Sequence, residues 1–466
     1  MSLRVAPSNH HADRLLLGFS DLTRLKSERP LVFERGRGIF VIDERGKDYI
    51  EAVSSFYCAT LGFSDRELAE AAARQLRDLP MYPSAIHRTT LPVLELAEKL
   101  AAIAPLPNAR VHFSTTGSEV NDHLIKFMWY GNHFAGEPQR RKIVSRLGSY
   151  HGSTIATAAL GGGSDLHASF ALPMGESILV SQPAWPNAAL PGEDEAAFVA
   201  RLAQELADAI EAAGPETVGG MIAEPVSVSA GMFPPPAGYF PAIKAVLDRH
   251  AIPLFVDEVV TGFGRSGQMW ASEAMGLEPD CVSCAKGITG AYMPLAALIM
   301  GERYAERLDR GSDAKGWFAH GGTHQGHTVS AAVGLKVLEI FERRDILGHV
   351  RRIIPYWNRM IEGFLEHPLV TASRRFGLMG ALEVALPGQG GAGMAGSLAV
   401  GGISKVIYEA GLDHGIIVRP LSGCIVMAPP LIITEAEIDE LARRLEAALD
   451  QALAEAAPGT AVGSSV

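Results

Sequence analysis

Strands that alternate with amphipathic helices through most of this 466-residue chain predict an α/β fold built on a mostly parallel sheet with helices on both faces. Two further observations agree. Glu224, Asp257 and Lys286 fall at the carboxyl ends of predicted strands, where sheets of this kind bind their ligands. Beyond Ser330 the pattern changes to long helical runs and short strands, which predicts a smaller α+β unit joined by the N-terminal segment. The expected division is a large domain over 62–330 and a small domain from 1–61 plus 331–466.

The elements follow in order. Phe40–Asp43 and Lys47–Ile50 read as a hairpin across the turn Glu44-Arg45-Gly46. Helices are predicted over Glu67–Arg77 and Val93–Ile103, then a short apolar strand over Ala109–Phe113. The centre repeats the theme: strands Lys142–Ser145 and Ser177–Val180, helix Ala196–Ala213, strand Val218–Glu224, helix Phe240–His250 and strand Pro253–Asp257. Another strand ends near Lys286, and Leu295–Met300 is a further one. A long helical pattern runs from Ser330 to about Phe364, followed by strand Leu378–Val384, helix Ile403–His414, strands Ile416–Arg419 and Cys424–Ala428, and a closing helix Thr434–Glu455. Gly388–Gly402, rich in small residues, reads as a surface loop.

Composition narrows the function. A charge of -11 disfavours nucleic acid or an anionic membrane as the main partner. No apolar run approaches the roughly 20 residues that span a bilayer, and Met1–Asp13 lacks the features of a signal peptide, so a cytoplasmic location is expected. Four cysteines in 466 residues make no disulfide framework. Cys281 and Cys284 form a CxxC, but strand positions three apart face opposite sides, and no second pair completes a tetrahedral site. No metal is expected.

Three strings carry chemistry. Leu254-Phe255-Val256-Asp257-Glu258-Val259-Val260-Thr261-Gly262-Phe263-Gly264-Arg265 delivers a carboxylate to the end of an apolar strand, suited to Mg²⁺, to base chemistry, to a heterocyclic N–H⁺, or to capping the next turn. Asp280-Cys281-Val282-Ser283-Cys284-Ala285-Lys286-Gly287 ends a strand on a lysine, which taken alone is most often a solvated charge. Ser114-Thr115-Thr116-Gly117-Ser118-Glu119-Val120-Asn121-Asp122 places small and hydroxyl residues at a helix start, where free N–H groups suit a phosphate or a simple cap.

Taken together, the strings resemble the class III aminotransferases, the ω-transaminase group of fold-type I pyridoxal-phosphate enzymes, over nearly the whole chain. Lys286 follows Asp257 by the family's usual 29 residues. Tyr150-His151-Gly152-Ser153-Thr154 is similar to the segment whose tyrosine stacks on the cofactor. His320-Gly321-Gly322-Thr323-His324-Gln325-Gly326-His327 is similar to the loop that offers a threonine across a dimer interface. The resemblance implies a three-layer large domain, pyridoxal 5'-phosphate as cofactor and a homodimer with shared active sites. It implies that Lys286 holds the cofactor as a Schiff base and moves the substrate Cα proton. Asp257 keeps the pyridine nitrogen protonated. Gly117 and Ser118 bind the phosphate with the partner chain's Thr323, Tyr150 and Val259 sandwich the ring, and Glu224 lies near its hydroxyl.

The resemblance also bears on substrate. Arg419, in Gly415-Ile416-Ile417-Val418-Arg419-Pro420, is similar to the mobile arginine that binds a substrate carboxylate and swings aside for uncharged amines. Its alternative is a structural ion pair. Tyr57 stands where relatives often carry Trp, and Phe19 resembles a phenylalanine that closes the pocket. Gly322, Gln325, Thr328, Met232 and Leu17-Gly18 depart from the usual pattern; they lie around the rim and bear on substrate. The expected reaction moves an amino group from an amine or ω-amino acid to a keto acid such as pyruvate. An aminomutase or racemase on the same fold is the alternative.

Overall fold

The computed structural model describes residues 14–389 and 401–456. Met1–Asp13 and residues 390–400 of the expected glycine-rich loop lie outside the described residues.

Seven strands form the central sheet, in the order Arg110–Ser114, Ala296–Met300, Cys281–Cys284, Leu254–Asp257, Val218–Ala223, Lys142–Arg146, Ser177–Val180. Ala296–Met300 runs antiparallel to both neighbours, and the remaining pairings are parallel. Alternation along Leu254–Asp257 shows why these apolar runs become two-sided strands. Leu254 and Val256 pack with the helices Glu195–Ala213 and Tyr239–Arg249. Phe255 faces the other way, into a cluster with the helices Gly117–Phe134 and Glu302–Lys315. The expected three layers are therefore present. Cys281 and Cys284 divide between the same two clusters, both as thiols, so the CxxC forms no single site.

Two four-stranded sheets draw on both ends of the chain. One pairs Phe33–Arg37, Phe40–Asp43, Asp48–Glu51 and Ile416–Ile417; the other pairs Val370–Arg375, Gly380–Val384, Cys424–Met427 and Arg419–Leu421. The expected strand Ile416–Arg419 is thus divided at Val418. Ile416 lies beside Ile50 in one sheet, and Arg419 lies opposite Val426 in the other.

The expected single helix from Ser330 to Phe364 is two helices, Thr328–Arg343 and Ile346–Gly363. Asp345 adopts φ 45° between them, and its carboxylate caps the second by accepting Gly348 N–H at 3.1 Å. Both helices carry the main core onward into the small sheets through Val337, Trp357, Leu382 and Ile425.

Candidate active site

The sheet ends deliver the site. Asp257 terminates its strand on the face covered by the helix Gly117–Phe134, and that helix meets it with Asn121. The Asn121 amide donates to Asp257 Oδ2 at 2.9 Å, His151 Nδ1 lies 2.9 Å from the same oxygen, and Val259 N–H donates to Oδ1 at 3.0 Å. Asn121 also donates to the His151 carbonyl at 2.8 Å, which ties the Tyr150-His151 turn to the helix. Three contacts aimed at one buried carboxylate fix it in place.

Glu224 lies one shell further out. Its Oε1 accepts Tyr150 N–H at 3.0 Å, while Oε2 accepts Arg146 at 2.9 Å and the Ser227 hydroxyl at 3.0 Å. The guanidinium of Arg146 is buried, and removing either partner would strand a buried charge. These bonds fill three of the roughly four acceptor positions of a carboxylate and tie Glu224 to the Tyr150 turn.

The helix start is built as an open cradle. Thr116 caps it by accepting Glu119 N–H at 3.2 Å, and the N–H groups of Gly117 and Ser118 have no acceptor among the described residues. A Cβ on Gly117 would come within 3.0 Å of Val259 Cγ1, and one on Gly152, at φ 147°, would meet Ser118 Cα at 2.8 Å. The two glycines keep this corner clear where helix, Val259 and the Tyr150 turn converge.

Lys286 follows the strand Cys281–Cys284 with φ 49°, a left-handed conformation uncommon for a non-glycine residue and frequent at functional sites. Its Nζ lies 5.0 Å from the centre of the Tyr57 ring. Part of the side chain is accessible, yet the enclosing protein lowers the amine's pKa by desolvation; Cys58 and Asp257 oppose that shift, and Arg419 and Arg265 reinforce it. Asp257 and Arg419 also influence the Tyr150 phenol, so these side chains share one electrostatic environment.

Tyr57 sits on an unusual support. Ser54, Ser55, Phe56 and Tyr57 all have φ between 50° and 72°, a left-handed turn of four non-glycine residues. Glu51 holds its start by accepting N–H groups from Val53 at 3.1 Å and from Ser55. Buried Arg265 bonds the Ser54 hydroxyl at 2.9 Å and the Pro429 carbonyl. Burial pushes the Glu51 carboxyl up to about 7 and the Tyr57 phenol up to about 12.

Arg419 forms no ion pair among the described residues. Its guanidinium lies 4.9 Å from the Phe56 ring and 5.8 Å from Phe19, so aromatic faces hold it in place of a carboxylate. Thr323 is exposed, on a loop in which His320 is half-buried and Gln325 is buried. The sequence motifs give Asn121, His151 and Phe56 no role and leave Arg146 out. Asn121 lies one turn after Gly117 and His151 adjoins Tyr150, a spacing that gives the available signal.

A family profile described as class-III aminotransferase matches residues 23–449. The chain belongs to the class-III aminotransferases. It is 38% identical over 432 residues to the uncharacterized aminotransferase y4uB of Sinorhizobium fredii, covering 92% of each chain. It is 38% identical over 413 residues to the mitochondrial gamma-aminobutyrate transaminase 1 of Oryza sativa subsp. indica, covering 88% of this chain and 80% of that one. The ω-transaminase of Pseudomonas jessenii, solved in complex with PMP, superposes with a TM-score of 0.91 at 35% identity, covering 96% of this chain and 98% of that chain. The PMP-bound aminotransferase of Vibrio fluvialis superposes at 0.90 with 33% identity, covering 97% and 99%.

This class-III aminotransferase is a pyridoxal-phosphate enzyme, and its residues fit the cofactor. The side-chain-free corner at Gly117 with two unpartnered N–H groups suits a phosphate. The fixed carboxylate of Asp257 suits a protonated ring nitrogen, and the desolvated amine of Lys286 suits an aldehyde. Among the described residues no helix is long and apolar enough to cross a membrane.

Proposed function

We propose that this enzyme moves an amino group from an ω-amino acid or simple amine to a keto acid, pyruvate being the acceptor to test first. The unpaired guanidinium of Arg419 carries the reading. It shares an electrostatic environment with Lys286 and Tyr150, where a substrate carboxylate gives it a bidentate partner. Several relatives bear the name gamma-aminobutyrate transaminase, which supports an ω-amino acid donor.

Pyridoxal phosphate, when bound, supplies an aldehyde and an electron-withdrawing ring. The chain supplies the rest. Lys286 takes the proton from the substrate Cα and returns it elsewhere, and its lowered pKa raises the fraction of neutral amine that does so. Asp257, steadied by Asn121 and His151, holds the proton on the ring nitrogen. Gly117 and Ser118 bind phosphate, Tyr150 and Val259 flank the ring, and Tyr57 and Phe19 bound the substrate space. Glu224 orients the Tyr150 turn.

The same reading assigns 62–330 to the cofactor-binding domain and 1–61 with 331–466 to the small one. It also assigns Thr323 to the phosphate site of a second copy, in a homodimer. A coupled assay crossing a panel of amine and ω-amino acid donors with pyruvate and 2-oxoglutarate tests the substrate assignment. Turnover with carboxylate-free acceptors alone would overturn it.

A further inference from the structure

Outside the active site, three imidazoles converge from three separate elements. His112 comes from the strand Arg110–Ser114, His123 from the helix Gly117–Phe134 and His320 from the loop that bears Thr323. Each offers a ring nitrogen within 4.8 Å of the other two. We infer that His112, His123 and His320, with Glu119, form a binding site for a divalent transition-metal ion of the zinc type.

The hydrogen bonding supports a cation. Ser114 Oγ lies 2.8 Å and His112 Nε2 3.2 Å from His123 Nδ1, and in the tautomer that carries its proton on Nδ1 His123 presents Nε2 as a lone pair. That nitrogen and His320 Nε2 both face the amide nitrogen of Gln325 at 3.4 Å, and Glu119 Oε1 faces it at 3.5 Å. Two amide protons cannot serve three such partners, and all three contacts exceed a normal bond length. Glu119 lies one helical turn before His123, 3.8 Å from its Nε2, and supplies the anionic ligand. A zinc ion with about 2.0–2.1 Å bonds asks the nitrogens to close to about 3.3 Å, a side-chain rotation for each.

The surroundings match a metal ligand set. Phe127 packs against all three rings. Lys126 Nζ, 3.1 Å from His320 Nδ1, is exposed, so its cation is free to move into solvent if an ion binds. The ion would clamp the Thr323 loop onto the helix that begins at Gly117.

The experiment uses untagged holoenzyme, stripped with a chelator and dialysed against micromolar free zinc, with bound metal counted by mass spectrometry. Wild type is expected to hold about one zinc per chain. His123→Gln and His320→Gln are each expected to weaken binding by more than the tenfold that even an outer partner of a metal costs. Cobalt substitution should give a tetrahedral visible spectrum in wild type that is lost in His320→Gln. Because His320 lies on a half-buried loop, that variant decides the matter if His123→Gln fails to fold. Negligible zinc in wild type, or wild-type affinity in the folded variants, overturns the site and leaves a hydrogen-bonded histidine cluster.

Discussion

His151 Nδ1 lies 2.9 Å from Asp257 Oδ2, and the imidazole is wholly enclosed, so the carboxylate cannot turn without breaking a buried contact. Asp257→Asn keeps the shape but removes the charge proposed to hold a proton on the ring nitrogen. Loss of one preorganised electrostatic partner typically costs about 10²–10³ in rate. We expect kcat to fall by that order while far-ultraviolet circular dichroism stays unchanged. A variant within tenfold of wild type would place the ring's counter-ion elsewhere.

Lys286 has a lowered pKa and a left-handed backbone fixed by its strand end. Borohydride treatment of the holoenzyme should therefore fix the cofactor to one tryptic peptide, the one containing Lys286. Lys286→Ala should lose both that label and activity and still fold. A label on a different lysine would refute the assignment.

Arg419 rests on Phe56 and Phe19 without an ion pair. A charge-assisted contact is worth about 1.5–3 kcal/mol, roughly ten- to a hundredfold in binding. Arg419→Ala should lower kcat/KM for pyruvate and ω-amino acids by that factor. Single turnover of an uncharged arylalkylamine should change only a few-fold. Equal losses in both half-reactions would make Arg419 a structural residue.

Trp317 is 64% exposed on the Thr323 loop, and Ile86 is 82% exposed in the neighbouring segment, which touches that loop at Ser84 and Gly326. Apolar groups at this density are expected to be covered by a second copy, in an interface above roughly 2,000 Å². Light scattering should give twice the chain mass, and Thr323→Ala should weaken cofactor retention. A monomer with full activity would end the shared-site reading.

Glu51 makes stability pH-dependent with a definite sign. Its folded pKa is raised to about 7 from 4.5, so the folded state binds the extra proton between those values and stability falls as pH rises through them. Glu67, Glu193 and Glu440, held down to about 2 by arginines, lose their contribution only at lower pH. His112 and His320 act in the opposite direction, gaining stability as pH climbs toward 6.5. The Tm difference between wild type and Glu51→Gln isolates the carboxyl. It should shift in favour of Glu51→Gln from pH 4.5 to 7, and a flat difference would refute the assignment.

Much of this was legible because short apolar runs bounded by turn residues become buried strands. Ser177–Val180 has the expected limits, and the strands ending at Asp257 and near Lys286 were placed within two residues. The failures have local causes. Phe33–Arg37 is an almost wholly exposed edge strand with two arginines and a glycine, so it shows no alternation. The apolar period runs through Arg344-Asp345, and only the cap geometry of Asp345 reveals the break. Val418 divides a continuous apolar strand because its two halves meet different sheets, a fact that no local pattern contains. In the proposed site, the residues with a charged or glycine signature carry a sequence signal, whereas Asn121 and Phe56 stand out only through their contacts with Asp257 and Arg419.

The place of Ala296–Met300 in the central sheet bears on how the protein is made. The strand leading to Gly117 has that strand as its one neighbour in the sheet. On a ribosome adding about 5–20 residues per second, Arg110–Ser114 waits roughly ten to forty seconds for its partner to be synthesised. Arg419 arrives later still. Truncated chains ending before residue 296 therefore leave the strand before the Gly117 cradle unpaired, and nascent chains should become competent for cofactor only after Ala296–Met300 has been made. Cofactor supply during translation should accordingly do little for early folding and much for the finished chain.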